Sequence, residues 1–304
     1  MALTLPPRLP SGGQLALIAP AGPGSLDAEH AQAWAAAQGY QLKIYPGVFE
    51  KTGYLAGSDA TRLADLHAAF ADPAIDAIVC LRGGYGTPRL LDHIDYPLIA
   101  RHPKPFVGYS DITALHLAFS QRAGLLTFHG PLFRTELLQR QQPGEAALFR
   151  MLRGEVKEGD LIMHPPGWPL ATVAGGSARG RLVGGNLSML CALQGTPWAL
   201  ETDGAVLFIE DVNEPLYRID RLLTTLRLGG KLHGLAGVLA GDFAGIPPEQ
   251  LRPLLEAFFT PLGIPVLAGW RSGHCQPNMT LPLGAQVEMD ADNQTLVLRQ
   301  GVVA

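Results

Sequence analysis

Charged residues and cysteines are scarce in this 304-residue sequence. Charged side chains make up 16% of it and the net charge is −4, so we do not expect the basic face that binds nucleic acid or an anionic membrane. The three cysteines are widely separated and form neither a disulfide framework nor a CxxC metal site. This usage fits a reducing compartment, and we expect a cytoplasmic protein.

Long apolar runs are also missing. No stretch approaches the roughly 18 residues of a transmembrane helix, and the opening MALTLPPRLPSGGQ lacks the pattern of a secretory signal. There is no HExxH and no regular His/Asp cluster, so we expect no metal. Glycine and proline are abundant, with 36 and 25 residues, which indicates a compact body with many tight connections.

The first half alternates short apolar runs with helical patterns. We predict helices at 25–40, 58–72 and 112–122, the first capped by Ser25 or Asp27. Strands are predicted between and around these helices, at 14–22, 41–47, 75–86, 104–111 and 125–131. This alternation predicts βαβ units and a mostly parallel sheet.

The amino-acid composition changes near the middle of the sequence. Residues 156–180 are rich in Gly and Pro and lack helical periodicity, which predicts a linker between a domain at 1–155 and one at 181–304. The second domain is predicted to be a smaller α/β unit with more antiparallel character. Its predicted strands are 205–212, 235–243, 264–268, 286–289 and 295–299, and its helices are 217–228 and 248–260.

Three turns of the first domain follow predicted strands, where ligands bind in open parallel sheets. They are IAPAGPG (18–24), RGGYG (82–86) and GYSD (108–111). RGGYG offers consecutive backbone N–H groups with little side-chain bulk, which suits a phosphate or an oxyanion. It matches neither GxGxxG nor a Walker A sequence, and a plain tight turn is the alternative.

Ser110 lies in FVGYSDITA, where a strand gives way to a helix. Ser110 or Asp111 could be a helix N-cap, with Asp111 the better candidate if Ser110 is catalytic. The second interpretation makes Ser110 a nucleophile, with the N–H of Asp111 directed at an oxyanion. Ile112 occupies the last glycine position of a GxSxG elbow, so an α/β-hydrolase is not indicated.

A serine nucleophile needs a general base and an acid that orients it. Of nine histidines, His274 is the best placed because it follows an apolar strand in a polar, Pro-punctuated loop; His129 and His164 are alternatives. Glu210 ends the apolar run AVLFIE, and its neighbour Asp211 is the rival acid. Either acid could instead pair with a basic residue of the next helix, Arg218 or Arg221.

Cys275 is a poor alternative nucleophile. It adjoins His274 in the sequence, and consecutive side chains in extended backbone point in different directions.

Six segments together resemble the L,D-carboxypeptidase (muramoyltetrapeptide carboxypeptidase) family of serine peptidases, which also contains microcin-immunity peptidases. The resemblance covers nearly the whole chain, and the segments occur in the family's order. They are LIAPAGP near the start, RGGYG, FVGYSDITALH, LVGGNLSML (182–190), LFIEDVNEPLYRIDR (207–221) and GHCQPNMTLPLG (273–284).

The resemblance implies a flavodoxin-like N-terminal domain that carries the nucleophile and a smaller, swivelling-type C-terminal α/β domain. It implies that Ser110 is the nucleophile, Glu210 the orienting acid and His274 the general base. The implied oxyanion donors are the N–H groups of Gly84 and Asp111, with Gly83 as an alternative to Gly84. Because these residues come from both domains, we expect closure of the cleft to assemble the site.

The implied activity is hydrolysis of the amide between an L-centre (meso-diaminopimelate or lysine) and the terminal D-alanine of murein tetrapeptides in cell-wall recycling. No cofactor is implied, and a homodimer is expected. Four residues are candidate substrate contacts, and Arg134 is a further candidate for the terminal carboxylate. The four are Arg82, Gly83, Tyr85 and Asn278.

Two other functions stay open. An immunity-type peptidase that cleaves a peptidyl-nucleotide toxin should carry an aromatic platform, for which Trp168, Trp198 and Trp270 are available. A non-catalytic binder of small ligands could use RGGYG and IAPAGP to hold an anion, and it would not depend on Ser110.

Overall fold

The apolar runs of the first half form the parallel strands of one sheet in a computed structural model that describes residues 3–304. The strand order is β2-β1-β3-β4-β5, with every neighbouring pair parallel, as in flavodoxin-like folds. These strands are β1 (Gln14–Ile18), β2 (Gln41–Ile44), β3 (Ala77–Cys80), β4 (Phe106–Gly108) and β5 (Thr127–His129).

Helices connect these strands, and side chains cap three of them. Asp27 accepts hydrogen bonds from the N–H groups of Glu29 and His30 at 3.0 and 3.1 Å, so Asp27 and not Ser25 is the cap; Ser58 accepts from Thr61 at 3.0 Å. The third cap is Asp95, which accepts from the Leu98 N–H at 2.8 Å. The helices are α1 (Ala28–Ala37), α2 (Asp59–Ala71), α3 (Tyr96–Arg101), α4 (Thr113–Ala118) and α5 (Gly144–Leu152).

A second sheet contains seven strands in the order β13-β12-β7-β8-β9-β10-β6. The central strands β7 to β10 run parallel, whereas β6, β12 and β13 pair antiparallel with their neighbours. The strands are β6 (Ala171–Ala174), β7 (Ser177–Asn186), β8 (Val206–Val212), β9 (Gly237–Ala244), β10 (Val266–Ala268), β12 (Gln286–Asp290) and β13 (Thr295–Leu298), and the helices of this half are α6 (Leu187–Ala192), α7 (Leu216–Leu228) and α8 (Pro248–Phe259).

The predicted α/β fold with a flavodoxin-like N-terminal sheet is therefore confirmed, but one segment is more ordered than expected. Residues 156–180 contain β6 and the start of β7. β6 is not evident from the sequence because it is an edge strand of only four half-buried residues. Such a short strand between Gly- and Pro-rich turns shows no alternating apolar pattern. The boundary between the domains stays a prediction.

One strand links the two halves of the chain. β11 (Leu281–Leu283) comes from the C-terminal half but pairs antiparallel with β5, with Leu281 opposite His129. It begins seven residues after His274, so the loop that carries His274 is tied to the edge of the first sheet. Within residues 3–304, no helix has the length and apolar character needed to cross a membrane.

Candidate active site

Ser110 follows β4 in an unusual backbone conformation. Its φ is +66°, a left-handed region that residues other than glycine rarely adopt and that collects at functional sites. Ser110 begins a short helical turn, Ser110–Ile112, which has no side-chain cap. Its hydroxyl instead lies 3.1 Å from Nε2 of His274, so the cap interpretation of Ser110 is wrong.

Asp111 is not a helix cap either. Its side chain is buried, and Oδ2 accepts a hydrogen bond from the N–H of Thr87 at 2.8 Å. The backbone carbonyl of Asp111 also accepts from the Thr87 hydroxyl at 2.6 Å. Because Thr87 follows the RGGYG turn directly, Asp111 holds that turn against the Ser110 corner, a role that sequence position alone does not reveal.

Glu210 lies on β8 and its side chain is fully buried. Its Oε2 accepts hydrogen bonds from Nδ1 of His274 at 2.7 Å and from the His274 backbone N–H at 3.2 Å. Of the two candidate acids, Glu210 is therefore the one hydrogen-bonded to His274.

Asp211 serves a different loop, since neighbouring side chains of a strand point to opposite faces. It accepts hydrogen bonds from Asn186 at 3.1 Å and from the Ser188 hydroxyl at 2.8 Å. Arg218 pairs with Glu214 at 2.8 Å, so it does not compete with His274 for Glu210.

Asn278 stabilises the loop that carries His274. The Asn278 side chain is 1% exposed, and its Oδ1 accepts from the Gly273 N–H at 3.0 Å. Gly273 has φ +106°, and a Cβ there would lie 2.4 Å from Oε2 of Glu210. Only glycine therefore lets the loop bring His274 this close to Glu210. Direct contact of Asn278 with a substrate stays a prediction.

The electrostatics of the imidazole favour protonation. Burial lowers the pKa of His274, but the hydrogen bond and charge of Glu210, together with the charges of Asp211 and Glu136, outweigh burial, so the pKa lies above its usual value. Burial raises the pKa of Glu210, and the contact with His274 opposes that effect. His274 therefore becomes a stronger base than an exposed histidine while staying within reach of the Ser110 hydroxyl.

The glycine turn lies directly against Ser110. A Cβ on Gly83 would meet Cβ and Oγ of Ser110 at 2.7 and 2.8 Å, and Gly84 has φ +114°. The N–H of Gly22 donates to the carbonyl of Gly83 at 3.1 Å, which joins the first glycine loop to the second. Of the three turns singled out in the sequence, RGGYG therefore contacts Ser110 of the GYSD turn, and IAPAGPG contacts RGGYG.

We expect Gly83→Ala to lower kcat by about 100-fold without unfolding the protein. The added methyl group would displace Ser110, and a displacement of about 1 Å in a reacting group lowers the rate by about that factor. Gly301→Ala is the matched control, since its Cβ would meet nothing closer than 3.6 Å. Steady-state rates and thermal melting of both variants measure activity and stability. Equal kcat values for the two variants would show that a side chain at residue 83 does not disturb Ser110.

The alternative candidates lie elsewhere. His129 is fully buried with both ring nitrogens unpartnered among the described residues, and burial lowers its pKa far below the usual value. His164 contacts the carbonyl of Gly269 at 3.3 Å. Cys275 is buried, which raises the pKa of its thiol, and Sγ contacts the carbonyl of Pro277. Neither histidine is hydrogen-bonded to Ser110, and Cys275 is a weak nucleophile.

Of the remaining predicted contacts, Arg82 and Tyr85 lie on the RGGYG turn and Arg134 lies in the turn after β5. Nη1 of Arg82 donates to the Pro23 carbonyl at 2.9 Å. Tyr85 is exposed and packs edge-to-face on Tyr54, with ring centroids 5.6 Å apart. Arg134 donates to the Ser25 carbonyl at 3.0 Å. Their contacts with a substrate stay predictions.

Ser110, Glu210 and His274 are in contact without any movement of the two halves of the chain. The expected closure is not needed to bring them together, because β11 anchors the His274 loop to the first sheet. One further contact was not predicted from the sequence: the ring of Tyr109 packs on the His274 imidazole. Its only signal is that Tyr109 precedes Ser110. Within residues 3–304, no three His, Cys, Asp or Glu side chains are grouped to hold a metal ion.

An α/β fold with serine, histidine and glutamate joined by hydrogen bonds is the arrangement of a hydrolase. The chain belongs to the LD-carboxypeptidase family: residues 15–130 match its N-terminal domain and residues 179–289 its C-terminal domain. It is 40% identical to a probable murein peptide carboxypeptidase of Bacillus subtilis, over 98% of this chain and 95% of that protein. It is 33% identical to the murein tetrapeptide carboxypeptidase of Pseudomonas aeruginosa, over 93% and 95%.

Solved structures agree with this assignment. The MccF-like protein from Bacillus anthracis superposes with a TM-score of 0.90 at 25% identity, covering 98% of this chain and 99% of that one. The muramoyltetrapeptide carboxypeptidase from Oxalobacter formigenes superposes with a TM-score of 0.78 at 27% identity, covering 93% and 97%. The family resemblance stated from the sequence is therefore confirmed, and the chain is a carboxypeptidase by family.

Proposed function

We propose that this protein is a serine L,D-carboxypeptidase that removes the terminal D-alanine from murein tetrapeptides. The observation that carries the proposal is the hydrogen-bond chain from Glu210 through His274 to Ser110, at 2.7 and 3.1 Å. A buried carboxylate on one ring nitrogen and a hydroxyl on the other are what a serine nucleophile needs. Relatives named as murein peptide carboxypeptidases support the substrate class.

In the proposed mechanism, Nε2 of His274 takes the proton of Ser110 as Oγ attacks the scissile carbonyl. Glu210 accepts a hydrogen bond from the Nδ1–H group, so it holds the tautomer in which Nε2 is free to act as a base. His274 then gives its proton to the amine of departing D-alanine. A water molecule, deprotonated by His274, hydrolyses the tripeptidyl ester and frees Ser110.

The proposed oxyanion donors are the backbone N–H groups of Gly84 and Asp111. Asp111 follows Ser110 directly, and Gly84 follows the glycine that contacts Ser110. The Asp111–Thr87 hydrogen bonds join the two turns, which would keep the donors at a constant separation. Donors of this kind contribute roughly 3–4 kcal/mol each to the transition state.

The same proposal includes the residue before D-alanine, the source of the peptide, the cellular compartment and the oligomeric state. The residue before D-alanine is meso-diaminopimelate or lysine, the peptide comes from cell-wall recycling, and the enzyme acts in the cytoplasm as a homodimer. The family resemblance supports these points together.

D-alanine release from an anhydromuramyl tetrapeptide tests the proposal. We expect the purified protein to release D-alanine and leave the tripeptide, and to spare a matched peptide ending in L-alanine. Chromatography of the products with enzymatic detection of D-alanine follows the reaction. No release from the tetrapeptide, or equal cleavage of both peptides, would contradict the proposed specificity.

We expect kcat/KM to rise with pH through an acid limb whose midpoint lies above the usual histidine pKa of about 6.5. The general base must be neutral in the free enzyme, and Glu210 raises the pKa of His274 above its usual value, so protonation disables the base at a higher pH than for an exposed histidine. A kcat/KM profile from pH 5 to 9 measures the midpoint. A midpoint below 6 would contradict this electrostatic account.

We further propose that Arg82 binds the terminal carboxylate. In a D-alanine leaving group that carboxylate is two bonds from the scissile nitrogen, so its cation must lie close to the glycine turn. Nη2 of Arg82 lies 3.8 Å from where a Cβ on Gly84 would be. No carboxylate among the described residues forms an ion pair with Arg82, whereas Arg62, Arg89 and Arg271 each pair with aspartate.

We expect Arg82→Met to lower kcat/KM for the tetrapeptide acid by about 10- to 100-fold, the effect of one charge-assisted hydrogen bond. The same peptide ending in D-alaninamide should be cleaved equally by the variant and the wild type, because it lacks the carboxylate. Arg89→Met is the control for loss of a nearby cation. An equal loss of kcat/KM on the peptide acid and on the peptide amide would show that Arg82 does not bind the carboxylate.

One observation favours a second candidate function, cleavage of a peptidyl-nucleotide. Trp168 is 44% exposed and lies under the guanidinium of Arg271, 3.9 Å from the ring centroid. Arg271 also donates to the carbonyl of Gln276, within the His274 loop. An exposed indole beside this loop could stack on a nucleobase. Comparing wild type with Trp168→Leu on a peptidyl-adenylate analogue and on the tetrapeptide separates the two functions.

A further inference from the structure

The Tyr109 ring packs against the His274 imidazole. The two ring centroids are 4.9 Å apart, and the planes meet at 72°, an edge-to-face contact. Tyr109 is 5% exposed and immediately precedes Ser110, with an extended backbone of φ −154°. The residue beside Ser110 is therefore buried and contacts the His274 ring directly.

A buried carboxylate fixes the far end of the Tyr109 ring. The Tyr109 hydroxyl donates to Oε1 of Glu136 at 2.6 Å, and Glu136 is 6% exposed. Oε2 of Glu136 accepts from the Leu132 N–H at 2.9 Å and from the Thr135 hydroxyl. Burial raises the pKa of Glu136, and the three hydrogen-bond donors oppose that effect by favouring the ionised carboxylate. These donors fix the position of Glu136 in the turn that follows β5.

The hydrogen bonds to Glu210 and Ser110 leave one motion of the imidazole free. Both bonds are made at ring nitrogens, Nδ1 and Nε2, so they leave tilting about the line through those two atoms unrestrained. A ring packed beside the imidazole blocks that tilt. A hydroxyl anchored to a buried carboxylate keeps the blocking ring in place.

We infer that Tyr109 and Glu136 form a positioning pair for His274, distinct from the Glu210 contact. Tyr109 holds the imidazole in the orientation that keeps Nε2 on the Ser110 hydroxyl, and Glu136 holds Tyr109. Both side chains are buried, so we assign neither a contact with the substrate. The inference rests on the proposed function, because it gives the pair a role in the step where His274 takes the serine proton.

Charge acts in the same direction as the geometry. The ionisable groups that influence the imidazole are Glu210, Asp211, Glu136, Asp242 and His129. Burial lowers the pKa of His274, Glu210 makes the largest contribution that raises it, and the Glu136 carboxylate raises it further. Removing the Glu136 charge should therefore move the acid limb of kcat/KM to lower pH, which a purely structural role would not do.

The test compares Tyr109→Phe, Tyr109→Leu and Glu136→Gln with wild type on the murein tetrapeptide. We expect kcat to fall about 10-fold when the hydroxyl is lost and about 100-fold when the ring is lost, with KM unchanged. Glu136→Gln should lower kcat about 10-fold and shift the acid limb to lower pH. Tyr45→Phe and Asp65→Asn are controls, since they change a buried hydroxyl and a buried carboxylate elsewhere.

Folding and function are separated in the same experiment. Thermal melting and the folded fraction by circular dichroism normalise every rate, so a variant that loses stability alone recovers wild-type kcat after correction. If normalised kcat of Tyr109→Leu and Glu136→Gln stays within twofold of wild type and the acid limb is unmoved, the positioning role is wrong. An inactive wild type, or a Ser110→Ala variant as active as wild type, would instead overturn the proposed function.

Discussion

Replacing Ser110 with alanine should lower kcat for D-alanine release by about 10⁶-fold, the loss seen when the nucleophile of a serine peptidase is removed. The reason is that, within residues 3–304, only Ser110 presents a hydroxyl to Nε2 of His274, at 3.1 Å, so we expect no other group to form the acyl-enzyme. Binding should survive, because Ser110 is not the proposed anchor of the substrate. Coupled detection of D-alanine, run with a large excess of variant enzyme, measures the residual rate.

Ser120→Ala is the matched control for the Ser110 variant. Ser120 lies in the turn Phe119–Ala123, after α4, and its replacement should leave kcat within twofold of wild type. A Ser110→Ala variant that retains more than about one hundredth of wild-type kcat would remove serine from the mechanism. The non-catalytic ligand-binding alternative predicts no D-alanine release by either protein.

Glu210→Gln should lower kcat by about 10⁴-fold, because an amide no longer selects the tautomer with a free Nε2. The variant also removes the hydrogen bond and charge that raise the pKa of His274, while the burial that lowers it remains. The acid limb of the residual activity should therefore move to lower pH, below that of wild type. Profiles of kcat/KM for both proteins check the sign.

Glu214→Gln controls for the loss of a carboxylate near the same strand. Glu214 pairs with Arg218 at 2.8 Å on the following helix, so it should change neither kcat nor the pH profile. An acid limb that stays in place or moves to higher pH in Glu210→Gln would show that Glu210 does not set the basicity of His274.

Much of this fold follows from local sequence patterns. Apolar runs such as QLALI and VLFIEDV predict β1 and β8, and Asp27 and Ser58 mark where α1 and α2 begin. These signals are strong because burial and capping act over a few neighbouring residues. β6, β7 and β11 escaped prediction. β6 and β11, with four and three residues, carry too few positions for a period. β7 is longer, but three glycines interrupt its apolar pattern.

The candidate site shows the same limit. His274 lies 164 residues from Ser110 and 64 residues from Glu210 along the chain, and no local pattern joins residues so far apart. Position alone left Asp211, His129 and a helix cap open, and only family resemblance linked the three side chains. The roles of Asp111, Tyr109 and Glu136 depend on which buried groups meet across the sheet edge, so they emerge from the structure.

Capture of the acyl-enzyme tests the central claim most directly. With enzyme in excess over the tetrapeptide, acid quenching on the millisecond scale and mass spectrometry of the digested protein follow the peptide that contains Ser110. The account predicts a transient adduct of tripeptide mass on Ser110, formed as D-alanine appears and lost as the tripeptide appears. Complete conversion with no adduct on that peptide at any time, or an adduct on another residue, would contradict it.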